Sequence, residues 1–210
     1  MVIRNRLDSV LPRDKNSDDN GEYFIRSLYF DTPENKAFHE KIEGMALKEK
    51  YRIRSYNFNF SFIRLEKKIK EYGKGRKIRA NVTAELVKNI LKGDIDFLKH
   101  AEKPLLKEFY IKLLYDRWIP KVIIDFTREA FFYPAGNVRV TIDRNIRSSI
   151  NYTDFFDYNL PTAPVFENVD TCILEVKYDG FLPEHVQDLI QLNSCTFTAM
   201  SKYVAGRRYM

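Results

Sequence analysis

The sequence predicts an α+β fold built mainly on antiparallel strands. Three observations support this. Short segments alternate apolar with charged residues at the two-residue period of a strand. Amphipathic stretches with helix start and stop signals lie between some of them. Many strand-like segments are joined by short links with turn chemistry, which suits hairpins better than crossovers. Each strand then has one apolar and one charged face. An ordinary sheet with one wet face satisfies that pattern, and so does a closed antiparallel β-barrel with a charged interior and helices packed outside.

The chain opens with a short helix expected over Ile3–Leu11, its apolar face made by Leu7, Val10 and Leu11, followed by the polar loop PRDKNSDDNG. Ile25–Phe30 reads as a strand. Thr32 suits a helix N-cap, Pro33 the first helical position and Gly44 the stop. The next strand carries Lys50, Arg52, Arg54 and Tyr56 on one face, with Tyr51, Ile53 and Ser55 on the other. Cations stacked on one face repel unless an anion sits among them. Phe60–Ile69 is a third strand, with Leu65, Lys67 and Ile69 on one side and Glu66, Lys68 and Lys70 on the other. Tyr72–Gly75 is turn chemistry, and Lys77 and Arg79 share a face of the short strand that follows. Thr83 caps a helix with apolar positions Leu86, Val87, Ile90 and Leu91, which Gly93 ends; Leu105–Tyr115 is another helix.

Lys121–Thr127 reads as a strand, and Glu129–Tyr133 continues it or pairs with it. Pro134–Asn137 is a hairpin turn. Val138–Asp143 returns with Arg139, Thr141 and Asp143 on one face. Ser148–Asp170 is rich in Asn, Asp and Pro and is expected to be an irregular surface excursion. Cys172–Tyr178 is a strand with Ile173, Glu175 and Lys177 on one face, and Pro183 opens a helix running to about Leu192. The tail holds the polar Ser201-Lys202 in an apolar stretch.

Composition narrows the class. Apolar residues make up 44% and aromatics 14%, which fits a folded globule of one domain over 1–210. No apolar run approaches the roughly 20 residues of a membrane span. The N-terminus has no apolar signal-peptide core, and Cys172 and Cys195 have no metal-type spacing, so a reducing cytoplasmic location is expected. Net charge is +6, yet residues 26–79 hold 15 Lys+Arg against 7 Asp+Glu, an excess of +8 that leaves −2 for the remainder. An anionic ligand held by the fold itself explains that focus better than a basic arm. The three histidines are scattered, and no catalytic histidine is expected.

Five strands carry charge on one face: Arg52 and Arg54, Glu66 and Lys68, Lys77, Arg139 with Asp143, and Glu175 with Lys177. A wet face explains any one of them. It explains the set less well, because Arg128 lies between aromatics in FTREAF and Glu175 lies within CILEVKY. A charged channel for a polyanion accounts for all of them.

The motifs resemble the VTC domain of polyphosphate polymerases, in the triphosphate tunnel metalloenzyme (CYTH-like) superfamily. The resemblance rests on Ser27-Leu28-Tyr29-Phe30-Asp31-Thr32, Tyr51-Arg52-Ile53-Arg54, Leu65-Glu66-Lys67-Lys68, Phe126-Thr127-Arg128-Glu129-Ala130-Phe131, Arg139-Val140-Thr141-Ile142-Asp143, Leu174-Glu175-Val176-Lys177-Tyr178 and Ser201-Lys202-Tyr203, in that order. It implies a tunnel of about eight antiparallel strands and transfer of the ATP γ-phosphate to a polyphosphate chain with Mg²⁺ or Mn²⁺. By the same resemblance, Arg52 and Arg54 would clamp phosphates. Lys68 and Lys77 would add charge, with Glu66 either a cross-strand partner or a substrate contact. Arg128 and Arg139 would contact nucleotide phosphates or polymer. Glu175 would hold the metal beside Lys177, and Ser201 and Lys202 would guard the C-terminal side.

Family members open with a Glu-x-Lys-Tyr strand, whereas this chain starts at a helix, so the family's first strand is expected to be missing. The resulting seam would admit water, and a homo-oligomer could fill it with a partner's strand. Thr198 and Ala199 stand where a basic residue is common. Two other readings remain: a metal-dependent triphosphatase of the same fold, and a non-catalytic polyphosphate- or polyanion-binding module. Nucleic acid is not an expected partner, because the aromatics fall on the apolar faces.

Overall fold

Two glycine-poor turns set the register of the first hairpins. The computed structural model describes residues 2–191 and 198–208. Strands β1 (Glu22–Asp31), β2 (Leu47–Tyr56), β3 (Asn59–Glu71) and β4 (Lys74–Val82) pair in sequence, all antiparallel. Asn57 and Phe58 join β2 to β3 with φ of 48° and 52°; Tyr72 and Gly73 join β3 to β4 with φ of 45° and 85°. Both turns have positive φ at both positions, the form whose twist matches that of paired strands. Phe58 is bulky for such a turn, but its ring lies 5.0 Å from the Arg26 guanidinium and 5.0 Å from the Tyr158 ring.

Helices α1 (Val2–Val10) and α2 (Lys36–Ile42) flank β1 in sequence. After β4 come α3 (Ala84–Lys92) and α4 (Pro104–Leu114), then β5 (Ile119–Tyr133), β6 (Val138–Ser149), β7 (Ala163–Pro164), β8 (Ile173–Lys177), α5 (Glu184–Ile190) and α6 (Lys202–Arg207). The strand order is β4-β3-β2-β1-β5-β6-β7, with β8 also on β6. Among the described residues no pairing joins β4 to β7 or β8, so the sheet is not closed as the barrel reading expected. Closure needs a ladder between the end strands, and β7 has two residues and β8 five.

Several predicted bounds also shift. Residues 121–133 form part of one continuous strand, so Glu129–Tyr133 continues it. Strand β6 runs six residues past the predicted end and takes in Ser148 and Ser149. Helix α5 stops at Ile190, and its predicted end at Leu192 lies outside the described residues, as does Cys195. The predicted start of α2 at Thr32–Pro33 moves to Lys36, with Asn35 as N-cap. Asp31 does the capping from a distance: it accepts the N–H groups of Thr32, Ala37 and Phe38 at 2.8, 2.8 and 3.0 Å. Thr83 and Gly93 bound α3 as predicted, and Thr83 Oγ1 accepts the Leu86 N–H at 3.1 Å.

The chain divides into two compact units, and β1, β5 and β6 pass through both. One unit comprises Met1–Phe24, Phe126–Ile146 and Phe166–Met200. Its core joins Ile3, Leu7 and Leu11 to Phe131, Val138, Val140, Ile142 and Val186. The other comprises Ile25–Asp125, Arg147–Val165 and Ser201–Met210. Here the apolar faces of the first strands pack with α3 and α4: the Tyr51 ring stacks on Phe109 at 5.2 Å and meets Trp118 at 5.2 Å. Lys67 is on this apolar face and is buried. Its ammonium lies 3.0 Å from Glu49 and also pairs with Glu108, so the charge is compensated.

Candidate functional site

In the unit built on the first strands, register converts the alternating cations into a grid. Tyr29, Arg52, Glu66 and Arg79 lie directly across from one another on β1 to β4. On one side of this row are Lys50, Lys68 and Lys77; on the other are Ser27, Arg54, Arg64 and Asn81. Directly opposed residues share a face. On β2 to β4 this face therefore bears Lys50, Arg52, Arg54, Arg64, Lys68, Lys77 and Arg79 around the carboxylate of Glu66.

Glu66 is the electrostatic hinge of this grid. It is 2% exposed. Arg52 donates Nε and Nη2 to the same Glu66 oxygen at 2.8 and 2.6 Å. Lys77 and Arg79 lie 3.6 and 3.7 Å from the other oxygen. Burial pushes the carboxyl upward, but Arg52, Arg54 and Lys77 outweigh it and hold the pKa at about 2. Glu66 is thus an anion at any ordinary pH. In this arrangement Glu66 pairs with three cations: Arg52, Lys77 and Arg79.

Glu66, with Asp31 acting on Lys50 from β1, does not neutralise the whole face. Burial lowers the Lys50 pKa to about 8, with Lys41 and Lys68 adding repulsion. Burial likewise lowers Lys77 to about 8 against the pull of Glu66. Arg54, 5% exposed, is pushed below the usual arginine range by burial and then by Arg52; its Nε donates to Ser27 Oγ at 3.0 Å. Lys68 is exposed at the edge of the grid.

The C-terminal helix completes the cluster. Ser201 is the N-cap of α6, accepting the Val204 N–H, and Lys50 Nζ donates to the same Oγ at 3.1 Å. Tyr203 Oη donates to Asp31 at 2.5 Å, which ties α6 to the end of β1. Lys202, first residue of α6, acts electrostatically on Tyr29.

Tyr29 is a site residue that pattern reasoning missed. Arg52 Nη1 donates to its hydroxyl at 3.2 Å, and its ring stacks on Tyr203 at 5.4 Å. Burial raises its pKa, but the charges of Arg52 and Arg54 prevail and bring it down to about 8. The signal was present: Ser27, Tyr29 and Asp31 alternate with Leu28 and Phe30, so β1 has a polar face too. Arg64 was missed for a similar reason, since only the register sets it opposite Arg54.

The remaining predicted residues lie in the other unit. Arg128 donates Nε and Nη2 to the fully buried Asp143 at 2.5 and 2.6 Å. Burial opposes the charge, but this forked bond raises the Arg128 pKa further. Arg139 Nη2 donates to Asp14 at 2.7 Å and Tyr23 Oη at 2.8 Å. Both arginines, expected to meet phosphate, thus have partners within the protein.

Glu175 stands on β8 with a side chain 38% exposed, 3.1 Å from Lys177 Nζ and 4.0 Å from Arg128 Nη2. Register sets it across from Thr141, whose buried hydroxyl finds no hydrogen-bond partner among the described residues. Among the described residues no three His, Cys, Asp or Glu side chains gather as a metal cage. A divalent ion fits only a looser arrangement: Glu175 as a carboxylate ligand, with phosphate oxygens and water supplying the rest, which Mg²⁺ accepts.

Comparison with known proteins adds the family. No curated protein matches the chain. Among solved structures, the PH1819 protein from Pyrococcus horikoshii OT3 is similar over 89% of this chain and 77% of its own, with 13% identity and a TM-score of 0.43. A "putative adenylate cyclase" from Bacillus halodurans is similar over 90% of this chain and 79% of its own, with 10% identity and a TM-score of 0.49. No helix among the described residues is long and apolar enough to cross a membrane. The model of the VTC domain family matches residues 1–210, the whole sequence, and the chain belongs to that family.

Proposed function

We propose that this VTC domain transfers the γ-phosphate of ATP to a growing polyphosphate chain. The observation that carries this reading is the grid on β2, β3 and β4, where seven cations surround one carboxylate. A surface with that excess wants a ligand with closely spaced negative charges, and a phosphate chain supplies them. Phosphoryl transfer asks the protein mainly for positioning and charge neutralisation. Arg52 and Arg54 would hold phosphate oxygens in forked geometry, while Lys50, Lys68 and Lys77 act as compact point charges. Ser201 and Lys202 would contact the chain from α6. Glu175 would hold Mg²⁺ or Mn²⁺, with Lys177 beside it; the bound ion would neutralise charge on the transferring phosphoryl group. Arg128 acts on this reading through Asp143 and Glu175, and Arg139 contacts polymer only if it leaves Asp14.

The test is incubation of the chain with ATP and Mn²⁺, with and without a short polyphosphate primer, resolving polymer on gels and counting ADP. Long polyphosphate that disappears in Arg54→Ala and Glu175→Gln is the expected result. ATP consumed to free phosphate without polymer would replace this reading with a triphosphatase. Absence of turnover with retained polyphosphate binding would leave a non-catalytic binding module.

A further inference from the structure

We infer that a second anion site lies in the same unit as the grid, in a cavity that nothing in the proposed transfer reaction uses, and that it takes the phosphate group of a small organic phosphate monoester. The cavity has a volume of 670 Å³, and the polar groups in its lining include Lys121 of β5, Arg207 of α6, Ser148 and Ser149 of β6, and Thr162. Ile150, Pro161 and Ala163 form apolar wall. A mainly apolar cleft with a few converging polar groups is the usual build of a small-molecule site.

Its two cations lack carboxylate partners. Neither Lys121 nor Arg207 has a carboxylate within 4.0 Å among the ion pairs of the described residues. Lys121 Nζ donates to the Pro33 carbonyl at 3.2 Å, and Arg207 Nη2 to Asn35 Oδ1 at 2.9 Å. Both partners are neutral; Asp31 and Glu34 attract Lys121 only from beyond contact, so neither cation has a carboxylate in direct contact at the cavity. Burial lowers the Lys121 pKa and the Arg207 charge lowers it further, against the pull of Asp31 and Glu34; an arriving anion would offset the repulsion between the two cations.

The hydroxyls are set up to donate. Thr162 Oγ1 accepts from Arg147 Nε at 2.7 Å, and Ser149 Oγ accepts the Asn151 N–H at 3.3 Å. Each hydroxyl has an acceptor site filled and its own hydrogen to give. Two cations and several donors suit a phosphate monoester, which carries about −1.5 to −2 charge and three acceptor oxygens. A carboxylate has one charge and two oxygens. The apolar wall accounts for an organic body on the phosphate.

Close packing fixes this arrangement. A Cβ on Gly206 would stand 2.1 Å from Ile124 Cδ1 and 3.4 Å from Ser148 Cβ. A side chain at Gly206 would force the end of the buried Ile124 to move, so the glycine favours this close approach of α6 to β5, and the next residue is Arg207.

The test is an amide-resolved NMR titration of the full chain with AMP, inorganic phosphate and adenosine. AMP is expected to shift the amides of residues 148–149, 162–163 and 207, and to bind more tightly than phosphate or adenosine alone. Lys121→Gln and Arg207→Gln should each weaken AMP binding about tenfold, while Arg54→Gln leaves these shifts intact. Lys121→Gln removes no core packing, so it reports on the site even if changes at Arg207 disturb α6. Shifts confined to residues 50–54 would overturn the proposal, as would adenosine or inorganic phosphate binding as tightly as AMP. Unchanged AMP affinity in Lys121→Gln, or no saturable shift at all, would overturn it as well.

Discussion

Arg52 closes on Glu66 through two nitrogens that share one carboxylate oxygen, at 2.8 and 2.6 Å, inside a row that runs from Tyr29 to Arg79. This pair keeps the cationic face foldable. Without Glu66, Arg52, Lys77 and Arg79 would face one another without the carboxylate they share. With it, the face keeps an excess of positive charge for a ligand.

Glu66→Gln should therefore separate folding from binding. Breaking a buried pair by removing one partner leaves the other charge uncompensated and costs roughly 3 kcal/mol. Urea denaturation should show a loss of that order. Polyphosphate affinity should rise in the same variant, because a competing anion is gone. Unchanged stability with weaker binding would instead make Glu66 a direct substrate contact.

The acid limb of stability follows from the same carboxyl. Its folded pKa is about 2, below the ordinary carboxylate value, so the unfolded chain binds the proton more readily. The stabilisation is present above the unfolded pKa and is lost as pH falls toward 2. Acid unfolding of Glu66→Gln should start from lower stability at neutral pH and show a shallower decline between about pH 5 and 2.

Ligand affinity should fall on the alkaline side. Lys50 and Lys77 titrate near 8, and the Tyr29 phenol ionises near 8. Raising pH from 7 to 9 discharges two cations and creates an anion on one face. Polyphosphate binding should weaken over that interval and, at pH 8.5, be accompanied by proton uptake. Calorimetry in buffers of different ionisation enthalpy measures this. For the free protein the lysines act the other way: their folded pKa is lowered, so their charged forms cost stability below 8, and that cost is relieved as pH rises toward the unfolded value.

Arg128→Ala should be a folding variant before it is a catalytic one. It leaves the fully buried Asp143 without its forked partner, at a cost of about 3–5 kcal/mol. Thermal unfolding should fall clearly, and Arg128→Ala/Asp143→Ala should recover part of the loss. Equal stability of the single variant and wild type would free Arg128 for a direct phosphate role.

The sequence was most informative where a charge repeats on one strand. Lys50, Arg52 and Arg54 share a face by two-residue alternation, and they do so in the structure. Caps with local signals, Thr83 and Gly93, were legible for the same reason. What could not be read was pairing across chain distance. Lys67 looks like one more basic strand residue until Glu49 and Glu108 are placed beside it. Arg128 and Asp143 are joined only by the hairpin between β5 and β6. Asp31 caps α2 from a strand end, out of range of any local capping pattern. The closed barrel was inferred from charge alternation, from Arg128 and Glu175 lying in apolar surroundings, and from the family resemblance; charge alternation is satisfied equally well by an open sheet.

The central claim is that the β2–β3–β4 face binds a phosphate chain through its geometry as well as its charge. Titration of polyphosphate into wild type, Arg54→Ala and Arg76→Ala tests it most directly. Arg76 is on the opposite face of β4 and is exposed, so the two variants lose the same charge. Arg54→Ala should weaken binding about tenfold or more, and Arg76→Ala no more than about twofold. Equal losses in both variants would contradict the account and reduce the interaction to non-specific attraction.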